Sequence, residues 1–270
     1  METKGKVLFI GSSVDALELK GGRKEPAGFY LNELAIPAQA VVDAGYEIVL
    51  ATPTGTQPVV DQHSLVADHF GGNEQALREA LSFVTTHAGM RNARSIRSVI
   101  GDGLENYVGV FVPGGHPPMV DLMEDADLGE VFRHFHTESK PTALLCHGPI
   151  AITAAMPKAK QFRQALVEGD MKAARAAADG WQYAGYRMTV FSDDEEKYAE
   201  KNILAGEQVQ FYVASALNTA GGKVETKGVF EVNVVEDREL ITGQNPPSDH
   251  TIADLFVRAL ERRIAATGGA

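Results

Sequence analysis

A chain of 270 residues, 44% hydrophobic and 23% charged, can bury a sizeable core and is too apolar for a disordered or fibrous protein. Its 25 basic and 36 acidic side chains leave a net charge of −11, which repels phosphate backbones and anionic lipids and makes nucleic acid and membrane poor partners. One cysteine forms no internal disulfide and suits a reducing compartment; with no signal-peptide pattern at the start and no apolar run of membrane-spanning length, the expected address is the cytoplasm.

KVLFIGSS, residues 6–13, is a short apolar run closed by turn residues and reads as a buried strand. Residues 29–45 carry helical apolar spacing with Gly45 as the left-handed stop, and Pro37 inside the pattern predicts a kink or a late start. YEIVLATP, residues 46–53, is a second strand, so the three form a right-handed parallel crossover unit. The stretch 54–106 is too long for a simple crossover; helices at 75–87 and 93–100 make it an insertion able to wall a pocket. YVGVFVPGG, residues 107–115, is the most apolar strand and is predicted to be central. A helix at 126–139, a strand at 141–146 and a helix starting at His147 or Gly148 follow. A helical excursion occupies 156–185, then come a strand at 186–191, a helix at 206–220, a hairpin at 229–235 and 239–243, and an amphipathic helix at 248–264. Without a repeat or composition break, residues 1–270 read as one α/β domain: a mostly parallel sheet with helices on both faces.

Ligands of open parallel sheets bind beyond the carboxyl ends of the strands. Three segments meet that description: Pro113-Gly114-Gly115-His116, Cys146-His147-Gly148-Pro149 and Ser192-Asp193-Asp194. In LLCHGP an apolar strand ends at Cys146 and a helix starts at once, an elbow whose amide groups and helix dipole would stabilise a thiolate. His147 titrates near neutrality and could move a proton. Gly114 and Gly115 would let backbone amides approach a ligand and hold an oxyanion. Ser192-x-x-Glu195 reads equally well as a helix capping box.

VFVPGGHPPMVDL, followed after some twenty residues by LLCHGPIA, closely resembles the ThiJ/PfpI superfamily, whose fold is flavodoxin-like. GFYLNELAIPAQAVVDAGYEIVLATPTG matches the surroundings of that family's glutamate, and ELITGQNPPSDHTIA resembles the tail of its larger branch, heat-shock chaperones with glutathione-independent glyoxalase III activity. The resemblance implies Cys146 as nucleophile, Glu33 as the carboxyl touching the thiol, and His147 as its neighbour. Asp193 is implied as the acid that orients His147, with Glu195 and Glu196 as alternatives, and Gly114, Gly115 and His116 as the oxyanion and substrate-binding turn. Some chaperone-branch relatives bind a metal through a histidine just before the glutamate; Tyr30 holds that place here, so no metal and no cofactor are expected. His134 and His136, two apart on a helix, would point their rings away from each other. The implied reaction converts methylglyoxal, a small carbonyl substrate, to lactate. Deglycation or amide hydrolysis by the same cysteine, or a stress holdase chaperone, are the alternatives, and a homodimer is implied by analogy.

Overall fold

The run YVGVFV becomes the middle strand of a seven-stranded sheet, as suits a strand covered on both faces. In the computed structural model, which describes residues 3–267, the sheet contains β1 (Lys6–Ile10), β2 (Glu47–Thr52), β3 (Arg94–Ser95), β4 (Tyr107–Val112), β5 (Thr142–Leu145), β6 (Val234–Asp237) and β7 (Leu240–Gly243). Their order in space is β6-β7-β5-β4-β1-β2-β3, and only β6 and β7 run antiparallel. From β1 the chain winds outward one way through β2 and β3, then returns to lay β4 and β5 on the other side. That reversal opens a crevice beyond the ends of β1 and β4, the place where α/β sheets hold ligands.

Helices α1 (Leu31–Asp43), α2 (Glu74–Thr86), α3 (Ile96–Gly101), α4 (Ala126–Thr137), α5 (Ala159–Glu168), α6 (Met171–Ala177), α7 (Asp193–Asn202), α8 (Val213–Thr219) and α9 (Asp249–Thr267) surround the sheet. α1 packs on α9, and α3 on α4. The buried apolar residues form one continuous core from Val7 to Leu260. Among the described residues no helix is long and apolar enough to cross a membrane.

Several expected elements change shape, each for a local reason. Pro37 neither delays nor ends α1, which starts at Leu31 and runs through it; the proline has no N–H to offer the Glu33 carbonyl four residues back, and burial of the helix outweighs that loss. The helix expected at 93–100 gives its first residues to edge strand β3, and Ser95 then caps α3 by accepting from the Ser98 amide. The helix expected after Cys146 is a 3-10 segment, Gly148–Ala155. The strand at 186–191 shrinks to Arg187–Met188, which pairs with Lys223–Val224 outside the main sheet. Beyond it, the Thr189 amide donates to Thr242 Oγ1 and the Phe191 amide to the Cys146 carbonyl. This segment therefore passes over the ends of β7 and β5 and delivers residues 192–196 to the crevice. Only 213–219 of the helix expected at 206–220 is helical.

Candidate active site

Cys146 lies directly after β5 with φ = 61°, a left-handed conformation that a cysteine rarely takes without surrounding support. The support is visible: its amide donates to the Gly243 carbonyl and its own carbonyl accepts from Phe191. The turn after β4 closes over it. A Cβ on Gly114 would stand 2.4 Å from Glu33 Oε2 and 2.5 Å from Cys146 Cβ, and one on Gly115, at φ = 83°, would stand 2.0 Å from the Gly28 carbonyl oxygen. Both positions therefore require glycine.

Glu33, in the first turn of α1, is fully buried. Its Oε2 accepts from the Gly114 amide at 2.8 Å, its Oε1 has no hydrogen-bond partner among the described residues, and the carboxyl lies in hydrogen-bonding range of the Cys146 thiol. Burial pushes its pKa up to about 8, against the opposing pull of the thiol and the Gly114 amide. Gly114 is thus spent on the glutamate. The amide that reaches the sulfur is that of Gly115.

On the other side of the sulfur, His147 Nδ1 lies 3.4 Å from Sγ, and His147 Nε2–H donates to Glu196 Oε2 at 2.7 Å. His116 Nε2–H donates to the other oxygen of the same carboxylate at 2.9 Å. The two imidazoles are tilted against each other, 4.4 Å between centroids, and Phe191 covers the far face of His147 at 4.5 Å. Burial alone would raise Glu196, but the two imidazoles outweigh it and hold the carboxyl well below the usual carboxylate range.

Glu196 therefore takes the place expected of Asp193. Asp193 sits at the first position of α7 and accepts instead from the amide and hydroxyl of Ser215. Glu195 is buried as well but already serves four donors: the amides of Ser192 and Phe230 and the side chains of Gln244 and Asn245. It completes the capping box with Ser192 and pins α7 over the sheet. His116, expected beside Gly114 and Gly115 in the oxyanion turn, directs its Nε2 to Glu196. His134 and His136 part as expected, the one towards Lys140 and the other towards Glu239.

The sequence pattern predicted a thiolate. The structure places a thiol there: burial first, then Glu33, push Cys146 well above the ordinary cysteine value, and the Gly115 amide offsets only part of this. Glu33 and Cys146 form a coupled pair that keeps its protons through neutral pH. The ligand atoms of His116, His147 and Glu196 lie within 4.8 Å of one another, close enough for a metal ion, yet each imidazole already has a carboxylate oxygen at hydrogen-bond distance. The void lined by Gly28, Pro113 and Gly114 measures about 10 Å³, room for roughly one water. A larger cleft of about 690 Å³ between α1, α2 and residues 246–250 is lined by Asn32, not by Glu33 or Cys146. Replacing Glu196 by glutamine should lower turnover about 10²- to 10³-fold, because the amide leaves both imidazoles without their counter-charge; steady-state rates on folded protein measure it.

A family model described as ThiJ/PfpI family-like matches residues 25–201, the span that holds Glu33, the 113–116 turn, Cys146 and Glu196. The chain belongs to the ThiJ/PfpI-like family. Relatives of this family member include the protein/nucleic acid deglycase HchA of Pseudomonas aeruginosa, 23% identical over 259 residues, covering 94% of this chain and 80% of that protein. The protein of the same name from Staphylococcus aureus is 24% identical over 267 residues, with 95% and 80% covered. Among solved structures, glyoxalase III from Candida albicans superposes with a TM-score of 0.72 at 22% identity, over 94% of this chain and 97% of that one. The Rapid Encystment Protein of Francisella tularensis gives 0.69 at 21% identity, over 95% and 99%. These neighbours share the ThiJ/PfpI architecture, the flavodoxin-like α/β fold with its mostly parallel sheet.

Proposed function

We propose that the protein converts methylglyoxal and water to lactate, without glutathione, through Cys146. The observation that carries this reading is the placement of one sulfur between two proton carriers, the Glu33 carboxyl and the His147 imidazole backed by Glu196. On substrate binding, the thiol proton passes to His147 Nδ1, the sulfur attacks the aldehyde carbon, and the Glu33 carboxyl gives its proton to the aldehyde oxygen, leaving a neutral hemithioacetal beside an ionised Glu33. Glu33, now ionised, takes the C1 proton and returns it to C2 while the hydroxyl proton passes from the C1 oxygen to the C2 oxygen, which turns the hemithioacetal into a lactoyl thioester. Water cleaves the thioester, releasing lactate and restoring the thiol. A carboxyl titrating at about 8 is matched to that shuttle, since it both gives and takes protons near neutrality. The tight surroundings of Cys146, 3% exposed, favour a substrate of three carbons over a bulky one.

Deglycation is the second reading, and the names of the curated relatives favour it. Its chemistry differs in the first step: the sulfur bonds to the aldehyde-derived carbon of the adduct as the carbon–nitrogen bond breaks, the protein or nucleobase amine leaves with the thiol proton, and the same hemithioacetal results. Those names keep nucleic acid adducts in the substrate panel, although a charge of −11 disfavours a phosphate backbone. Purified protein given methylglyoxal alone, and then a preformed arginine adduct, separates the two by which of them yields lactate at the higher kcat/KM. A cytoplasmic homodimer remains the expected setting.

A pH dependence follows from the coupled pair. Alkylation of Cys146 by iodoacetamide should stay slow from pH 6 through pH 8 and climb only above the ordinary cysteine range, because Glu33 gives up the pair's first proton and its charge then holds the thiol up. A rate already at its plateau by pH 6 would mean a pre-formed thiolate.

A further inference from the structure

We propose that His116 is a positioning residue that carries the proton balancing the Glu196 carboxylate, so that His147 stays neutral and keeps Nδ1 bare towards the Cys146 thiol. This deepens the reading above, in which His147 accepts the thiol proton.

The reasoning starts from charge. One buried carboxylate faces two buried imidazoles, each donating Nε2–H to its own oxygen. With both rings neutral, a buried negative charge stands uncompensated; with both cationic, two like charges share rings 4.4 Å apart. One imidazolium balances the set, and the surroundings decide which.

His147 is closed in by Phe191, His116 and the thiol, and only 2% of it is exposed, against 8% for His116. His116 also feels Asp61 and Glu25 besides Glu196. The further acid near His147 is Glu195, whose oxygens are taken up by four donors. The directions of titration agree. Burial pulls both imidazoles down, but the Glu196 charge outweighs it at His116 and raises that ring, whereas at His147 burial, with the nearby His116 adding to it, prevails and lowers the ring. His147 is then held in the Nε2–H tautomer, the one form that can take a proton from sulfur.

The variant His116→Gln keeps a donor for Glu196 and removes the titratable charge. In uniformly ¹⁵N-histidine-labelled protein at pH 7, the wild type should show His116 as imidazolium and His147 as neutral with its proton on Nε2, assigned by difference against His116→Gln and His147→Gln. In His116→Gln, His147 should become the imidazolium, its titration moving up by at least one pH unit. The acid limb of kcat should move up with it while KM changes little. A wild-type spectrum with His147 charged, or with both rings in the same state, overturns the proposal, as does a His147 titration unmoved in the variant. Where His116→Gln does not fold, the difference against His147→Gln still assigns His147, and its state in the wild-type spectrum decides. That spectrum needs no substrate, so failure of the methylglyoxal assay alone leaves this inference standing and rejects only the assigned reaction.

Discussion

Cys146→Ala should abolish lactate formation from methylglyoxal, with a fall of about 10⁴-fold or more, the scale expected when the nucleophile of a cooperating set is removed. Neither Glu33 nor His147 can replace it, since each is placed to move protons to and from a bond that the sulfur must first make. The fold should persist. Alanine fits the same elbow, keeps the amide bond to Gly243 and the carbonyl bond from Phe191, and loses only one buried sulfur. Circular dichroism and thermal melting confirm that the variant is folded, and a lactate assay reads the chemistry. Turnover retained by a folded variant would remove the enzymatic reading altogether. The same protein also tests the holdase alternative: suppression of client aggregation by Cys146→Ala would show that such an activity is separate from the thiol.

The elbow was legible because strand, cysteine and following turn are contiguous in sequence, and their geometry is local. LLCHGP reads as a strand ending in a nucleophile, and the structure turns it there at φ = 61°. The sheet was legible for a similar reason: VLFI, IVLA and VGVFV are apolar throughout, as strands buried on both faces must be. The acid behind His147 was not. Four acidic residues run from Asp193 to Glu196, and which of them face inward depends on the angle at which α7 meets the sheet. Glu195, Glu196, Ala199 and Glu200 share the buried side, while Asp194, Lys197 and Tyr198 lie outside. That is a helical period, but one drawn mostly in charged residues, so an apolar stripe never marks it. The state of the sulfur was hidden for a different reason. An elbow suggests amides and a dipole that stabilise a thiolate; the turn that closes over the sulfur and the buried Glu33 beside it come from segments distant in sequence, and the burial and charge they bring reverse the sign.

Glu33→Gln should give a protein that is more stable and nearly inactive. The carboxyl titrates at about 8 in the folded chain and near 4.5 when exposed, so the native state holds a proton that the unfolded state has released. The folded value is raised, and the sign follows. The contribution is fully present below pH 4.5, declines as the pH rises, and is lost once it passes about 8. At pH 7 the wild type has forgone on the order of 3 kcal/mol relative to a group that stays neutral throughout. Glutamine is that group: it still accepts from the Gly114 amide, keeps nearly the same volume and never ionises. The melting temperature of Glu33→Gln should therefore match the wild type near pH 4.5 and exceed it by several degrees at pH 8, the gap widening between those values and levelling off above. Turnover should fall by about 10²- to 10⁴-fold, since an amide cannot carry the proton from C1 to C2. A gap that stays constant from pH 4.5 to 8.5 would mean that Glu33 is ionised in the folded protein, and the shuttle would then need another carrier. A widening gap with unchanged turnover would leave the buried proton in place but remove it from the reaction.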